Sequence, residues 1–207
     1  MQMSGLDSLL AKSLTVTIRE NLGDRTLQKI EQRIFERHGI NLTKAVENFT
    51  ILDGVLREFF GGGAEGLEKQ FMKGMIALEQ ASSQEKEWIT IEDSRLSTII
   101  LKALGDDDKN KILNAVIGKS MIISDMLFIT QIPQTSGYRK VNSLIEDGLL
   151  IADGYDTLAD GKTVTKYKTL FENVQINIVQ NKITIKIQVS EKSLKNSSVI
   201  QVACPRR

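Results

Sequence analysis

The chain has few of the residues that carry redox or metal chemistry. Among its 207 residues there is one cysteine, Cys204, and one histidine, His38. A single cysteine cannot close an intrachain disulfide, and the sequence has no Cys/His cluster with the spacing of metal ligands. No nucleophile accompanies the histidine in a pattern that would make it a catalytic base. We therefore expect no bound metal, no cofactor and no redox control.

Long hydrophobic runs and an excess of one charge are also missing. No window approaches about 18 consecutive apolar residues, and the N-terminus lacks a basic segment followed by a long apolar run. We therefore expect a cytoplasmic protein that is neither exported nor membrane-spanning. The 27 basic and 26 acidic residues give a formal charge of +1, so an anionic partner would have to be met by a local patch.

Apolar residues recur at helical spacing in the first part of the chain, as in Leu27, Ile30 and Ile34. This spacing predicts an all-helical N-terminal domain over residues 1–81, used for dimerisation or sensing. Residues 82–93, SSQEKEWITIED, lose the helical period and are mostly polar. We predict that they form a linker.

A different pattern occupies the C-terminal half. Three short helical segments with tight turns precede a two-stranded pattern, which predicts a winged helix-turn-helix domain over residues 94–172. Clean alternation of apolar and polar residues predicts a further β-hairpin over 173–189, whose apolar face must be covered by a domain or by a second subunit. The tail, 190–207, has no clear pattern. The predicted fold class is mostly α with a small β part, that is, α+β.

The segment IPQTSGYRKVNSLIEDGLL resembles the recognition-helix segment of archaeal winged-helix transcription regulators of the ArsR-like type. In that family a proline-containing turn leads to a small hydroxyl residue, a Tyr-Arg pair, spaced leucines and an acidic residue before GL. The matching positions here are Pro133, Ser136, Tyr138, Arg139, Leu144, Asp147, Gly148 and Leu149. The resemblance covers about residues 104–189 and implies a DNA-binding fold. Gly137 departs from the pattern, since a glycine costs about 1 kcal/mol of helix stability relative to alanine and predicts a looser first turn.

Helical geometry divides this segment into two faces. At 100° per residue, Tyr138 and Val141 fall on an apolar arc with Leu144 and Ile145, and the opposite arc is centred on Arg139. The N-terminal turns of such a helix approach base edges in the major groove, where an arginine can bond guanine O6 and N7. The predicted DNA-binding residues of the recognition helix are Thr135, Ser136, Tyr138, Arg139, Lys140 and Ser143.

Three lysines in the predicted wing form a second candidate contact. Lys162, Lys166 and Lys168 share strand parity, so they can project from one face toward a phosphate backbone. The alternative interpretation is a solvated strand face.

Together these patterns indicate a sequence-specific DNA-binding transcription regulator without enzymatic activity. We expect a homodimer on double-stranded DNA, because helix-turn-helix proteins usually read two half-sites. The input to the N-terminal domain, a small molecule or a protein, stays open. The alternative is a winged-helix adaptor that binds other proteins in transcription or signalling, since fold does not fix function. An all-α enzyme is a third and weaker reading, because no catalytic constellation can be assembled.

Overall fold

The computed structural model describes residues 4–78, 86–159 and 161–203, and it shows a mostly helical α+β protein. The predicted fold class is therefore confirmed. Buried residues from the helical N-terminal part and from the C-terminal half belong to one continuous hydrophobic core. Within the described ranges no helix is both long enough and apolar enough to cross a membrane.

Helices make up most of the described chain. In chain order they are α1 (Gly5–Leu22), α2 (Asp24–His38), α3 (Leu42–Glu47), α4 (Phe49–Phe60), α5 (Ala64–Met72), α6 (Ser94–Leu104), α7 (Asp107–Ala115), α8 (Ile123–Thr130), α9 (Gln134–Glu146), α10 (Glu191–Lys195) and α11 (Ser198–Ala203). A short 3-10 turn, Gly61–Gly63, joins α4 to α5. In the N-terminal part, α1 packs against α3, α5 and α6 and buries Leu6, Leu10 and Leu14 completely.

In the described part of the chain the strands form two antiparallel sheets. They are β1 (Ile76–Leu78), β2 (Lys86–Ile91), β3 (Leu150–Thr157), β4 (Thr163–Thr169), β5 (Phe171–Val179) and β6 (Lys182–Ser190). The larger sheet has the order β1-β2-β6-β5, and the smaller one pairs β3 with β4. The predicted hairpin over 173–189 is confirmed as β5 and β6.

The structure corrects the all-helical prediction for residues 1–81, because Ile76–Leu78 form strand β1, and it corrects the linker assigned to residues 82–93. Residues 82–85 lie outside the described residues, but β2 is a strand inside the larger sheet, with Ile89 paired to Ile187. Ile89 and Ile91 are buried on the core side, so they hold the strand in place. The alternating stretch WITI in this segment is short and has polar residues on both sides, so it was not recognised as a strand. Its pairing partner, β6, lies almost 100 residues further along the chain.

The region predicted as a winged helix contains the expected elements in the expected order. Helices α6 to α9 are followed by the β3–β4 hairpin, and an isolated antiparallel bridge joins Met121 to Tyr167. This bridge ties the chain between α7 and α8 to the edge of β4. We refer to α6 to α9 with the β3–β4 hairpin as the helix–hairpin unit.

Helix α1 contacts the helix–hairpin unit at the junction of α9 and β3. A Cβ atom on Gly5 would overlap the side chain of Ile151, and one on Gly148 would lie 2.6 Å from the backbone nitrogen of Leu9. Gly148 also has a φ of +73°, which favours glycine. Both glycines therefore permit a backbone approach that larger residues would block.

The tail beyond residue 190 contains structure that the sequence did not reveal. Helices α10 and α11 lie in it, and the buried carboxylate of Asp7 accepts hydrogen bonds from Ser197 Oγ and from the backbone nitrogen of Ser198 at 2.8 Å. These bonds fasten α11 to α1. Cys204 lies outside the described residues.

Candidate nucleic-acid interface

A short turn connects α8 to α9 and sets the angle between them. Gln131 has a left-handed φ of +57°, Ile132 is buried, and Pro133 precedes the first residue of α9. The first backbone hydrogen bond of α9 is donated by the nitrogen of Gly137 to the carbonyl oxygen of Pro133, at 2.8 Å. The hydroxyl of Ser136 also donates to this oxygen, at 3.1 Å. The hydroxyl of Ser136 is therefore hydrogen-bonded within the first turn of its own helix.

Gly137 is a point of close contact between α8 and α9. It is buried, and a Cβ atom there would lie 2.9 Å from Leu127 Cδ1 and closer still to Leu127 Cδ2. From the sequence, this glycine was expected to loosen the first turn of α9. The structure gives the residue a packing role instead, because the missing side chain lets Leu127 lie against the backbone of α9.

The buried face of α9 is rotated from the predicted one. Gly137, Val141 and Leu144 are buried, whereas Tyr138, predicted on the apolar arc and also among the DNA contacts, is 43% exposed. Tyr138 lines a cavity of about 440 Å³ together with Tyr167 of β4. It therefore lies between the helix and the hairpin, at the edge of the outward surface.

Two predicted DNA contacts face α7 rather than solvent. The ammonium of Lys140 lies 2.7 Å from a carboxylate oxygen of Asp106 and 3.1 Å from one of Asp108. The hydrogen bond to Asp106 raises the pKa of Lys140 and lowers the pKa of Asp106. Ser143 accepts a hydrogen bond from Lys109 Nζ at 2.8 Å. The assignment of Lys140 and Ser143 to a DNA face is therefore corrected: both side chains hold α9 against α7.

The outward surface of α9 is a stripe of four exposed residues at helical spacing, Thr135, Arg139, Asn142 and Glu146, which we name the outer stripe. Within the described ranges, Arg139 makes no hydrogen bond or ion pair, so its guanidinium is available to a partner. Asn142 was missed by the sequence analysis. Its position three residues after Arg139 could have revealed it, because that spacing keeps a residue on the same helix face.

The wing lysines do not form one surface with the outer stripe. In the pairing register Lys168 lies opposite Ile151, and Ile151 contacts Gly5 of α1. Lys166 shares this face, whereas Tyr167 has the opposite parity and borders Tyr138. The face that carries Lys166 and Lys168 is therefore turned away from α9.

Lys168 is also engaged, because its ammonium pairs with Asp153 at 2.9 Å. Lys162 occupies a different position in the hairpin from the other two wing lysines. It closes the tip of the β3–β4 hairpin, where its carbonyl oxygen accepts from the nitrogen of Leu158 at 2.9 Å, and it is exposed. Of the three predicted wing contacts, only Lys162 lies at a position that a wing would present.

The charge of the region is balanced. Residues 94–172 contain ten lysines and arginines against ten aspartates and glutamates. Nothing in the described ranges brings together three or more histidine, cysteine, aspartate or glutamate side chains able to hold a metal ion. The chemistry available at this surface is therefore hydrogen bonding by Arg139, Asn142 and Thr135, with a single cation at its centre.

Comparison of the chain with protein-family models, with curated proteins and with solved structures found no match. The resemblance to ArsR-like regulators consequently stays a prediction.

Proposed function

We propose that the protein is a sequence-specific DNA-binding transcription regulator and that the helix–hairpin unit is a winged helix-turn-helix. The observation that carries this proposal is the outer stripe, on a helix that follows a proline-containing turn and leaves Arg139 unengaged. An arginine and an asparagine on one face offer the two side chains that bond guanine and adenine edges bidentately. The proposal places the protein in the cytoplasm and assigns it no catalytic activity.

The interface that supports this function is smaller than the predicted one. Arg139 and Asn142 would read bases, Thr135 would bond a base or a phosphate, and Lys162 would reach the backbone from the hairpin tip. Because Glu146 ends the stripe, the duplex would lie toward the N-terminal turns of α9. Two half-sites would be read by two copies of the chain.

The first experiment selects bound fragments from random duplex DNA and then titrates the protein against the selected sequence. We expect Arg139→Ala to lose roughly 1 to 3 kcal/mol of binding free energy and to relax preference at one position of the site. Lys140→Ala is the matched control, because it removes the same charge from the neighbouring residue, whose ammonium is held by Asp106. It should leave the sequence preference unchanged.

A second titration varies the salt concentration. Lys162→Ala should lower the slope of log affinity against log salt by about one, because one fewer counterion is released. Lys166→Ala should leave this slope unchanged, since its strand face is turned away from α9. Binding of wild type to all sequences with equal, weak affinity would contradict the proposed function, and so would an unchanged preference in folded Arg139→Ala.

One observation favours a second candidate function, a protein-binding adaptor. On α8, beside the proposed recognition helix, Phe128 is 85% exposed and Ile129 is 55% exposed. Adjacent exposed apolar side chains of this size typically mark protein contacts. This candidate predicts that a photo-reactive amino acid at position 128 crosslinks to one specific protein in cells, and that selection from random DNA enriches no sequence.

A further inference from the structure

The β5–β6 hairpin leaves part of its apolar face uncovered. At its base Ile185, Ile187 and Val189 are buried beneath the rest of the chain, and α6 contacts β6 there. Toward the turn the same face carries Ile176, Ile178 and Ile183, which are exposed at 42%, 66% and 42%. We name these three residues the tip cluster. Its members are neighbours, because Ile178 pairs directly with Ile183.

The outer edge of β5 is also open. This strand is the last in the order β1-β2-β6-β5, and among the residues that the structure describes it pairs with β6 alone. The hairpin turns through two residues, Gln180 and Asn181, both with positive φ, so Val179 and Lys182 are the hydrogen-bonded pair that closes it. Alternation from that pair directs the backbone N–H and C=O groups of Val174, Ile176 and Ile178 toward the open edge.

From Asn173 to Val179 the sequence NVQINIV contains no charge and no proline, two of the devices that keep exposed edges from pairing. The register irregularity of β5, a third such device, lies before this stretch, between Phe171 and Asn173. The stretch is also complementary to itself. When two copies of this strand run antiparallel with Ile176 opposite Ile176, Val174 meets Ile178 and Gln175 meets Asn177, so apolar residues face apolar ones and amides face amides.

We propose that two copies of the chain associate through β5, edge to edge and antiparallel about Ile176, to form one continuous eight-stranded sheet. Such pairing has two-fold symmetry, and it places no like charges opposite each other. It also sets the tip of each hairpin beside the base of the other. Because α6 covers the sheet at that base, the tip cluster of one copy lies next to the helical layer of the second copy.

This inference deepens the proposed function, since it supplies the second recognition helix that two half-sites require. It is nevertheless tested without DNA. The oligomeric state of the full-length protein is measured by sedimentation velocity over a range of concentrations, and binding of a single half-site is measured separately. Failure of the β5 pairing would change the first measurement, whereas failure of the DNA-binding proposal would change the second.

Charge substitutions at the edge provide a matched pair of variants. Gln175→Glu with Asn177→Glu puts carboxylates opposite each other twice across the two-fold axis, while Gln175→Glu with Asn177→Lys puts opposite charges there. The shared Gln175→Glu change is mild within one chain, because residue 175 lies opposite Lys186. We expect a dimer for wild type, a dissociation constant raised roughly tenfold to a hundredfold for the first variant, and a dimer restored by the second.

Three results would overturn the pairing. Wild type could remain a monomer up to its solubility limit, or the two charge variants could dimerise equally well. In the third case Ile178→Ser would dissociate the dimer while the double-glutamate variant would not, which would show that copies meet through the face of the hairpin instead of its edge. Circular dichroism of each variant confirms that the hairpin still folds.

Discussion

Glu68 on α5 has a fully buried side chain, and neither of its carboxylate oxygens has a hydrogen-bond partner of good geometry within the described ranges. The pKa of Glu68 is raised from 4.5 to about 7, chiefly by burial away from water and next by the nearby Asp53 carboxylate. The Arg57 guanidinium, which pairs with Asp53 at 2.6 Å, lowers the pKa of Glu68 by a smaller amount. Near neutral pH this site therefore holds a carboxyl group that is partly protonated.

The direction of the pH effect follows from the proton count. Between pH 4.5 and about 7 the folded protein binds more protons at Glu68 than the unfolded chain does, so the free energy of unfolding falls as the pH rises. The contribution of this residue is fully present below pH 4.5 and is lost above about pH 7. At about 1.4 kcal/mol for each pH unit, the loss is at most roughly 3 kcal/mol, and relaxation of the surrounding helices reduces it toward 1 kcal/mol.

Glu68→Gln removes the charge at all pH values, so we expect it to stabilise the protein at pH 8 relative to wild type by roughly 1 to 3 kcal/mol. At pH 5 the two proteins should differ much less, because the wild-type residue is then mostly neutral. Urea unfolding at both pH values measures the difference. Glu65→Gln is the control, since Glu65 lies on the same helix but is exposed and pairs with Lys69. An equal difference between Glu68→Gln and wild type at the two pH values would refute the reasoning.

Three further predictions concern packing and buried hydrogen bonds, and urea unfolding checks each. Gly137→Ala should destabilise the protein by about 1 kcal/mol, because overpacking against Leu127 outweighs the gain in helix propensity. Leu127→Ala should make the alanine at position 137 tolerable. If the free-energy changes of the two substitutions simply add in the double variant, this explanation is contradicted. Asp7→Asn should cost roughly 1 to 3 kcal/mol through lost charge-assisted bonds to α11, and no loss would show that α11 is held otherwise. Gly5→Ala should cost about 1 to 3 kcal/mol by displacing Ile151, and wild-type stability would refute the tight contact.

Local pattern was sufficient to predict most elements of the C-terminal half. The apolar spacing and the turn residues indicated α8, α9 and both hairpins, because each of these depends on interactions between residues close in sequence. The strand β2 could not be found in this way. Its stability comes from pairing with β6, so the short stretch around Ile89 carries little signal of its own.

The face of α9 that packs inward was misplaced for a related reason. A prediction from the hydrophobic arc places large apolar side chains in the core, so it placed Tyr138 on the buried face and Ser143 on the exposed face. The structure instead centres the buried face on Gly137, a residue that carries no hydrophobic signal and is recognised only by what lies against it. That shift moves Asn142 onto the outer stripe, and it moves Lys140 to the acidic start of α7.

The contact between α1 and the end of α9 gives the helical part a direct mechanical connection to the outer stripe. Gly148 ends the segment that begins with α9, and it lies against the backbone of Gly5 and Leu9, while Lys12 of α1 is 3.9 Å from Asp147. Close-packed backbones cannot slide past each other gradually, since even small overlaps are costly. The start of α1 and the C-terminal end of α9 are therefore held in one close-packed arrangement, and a Cβ atom at position 148 would force them apart.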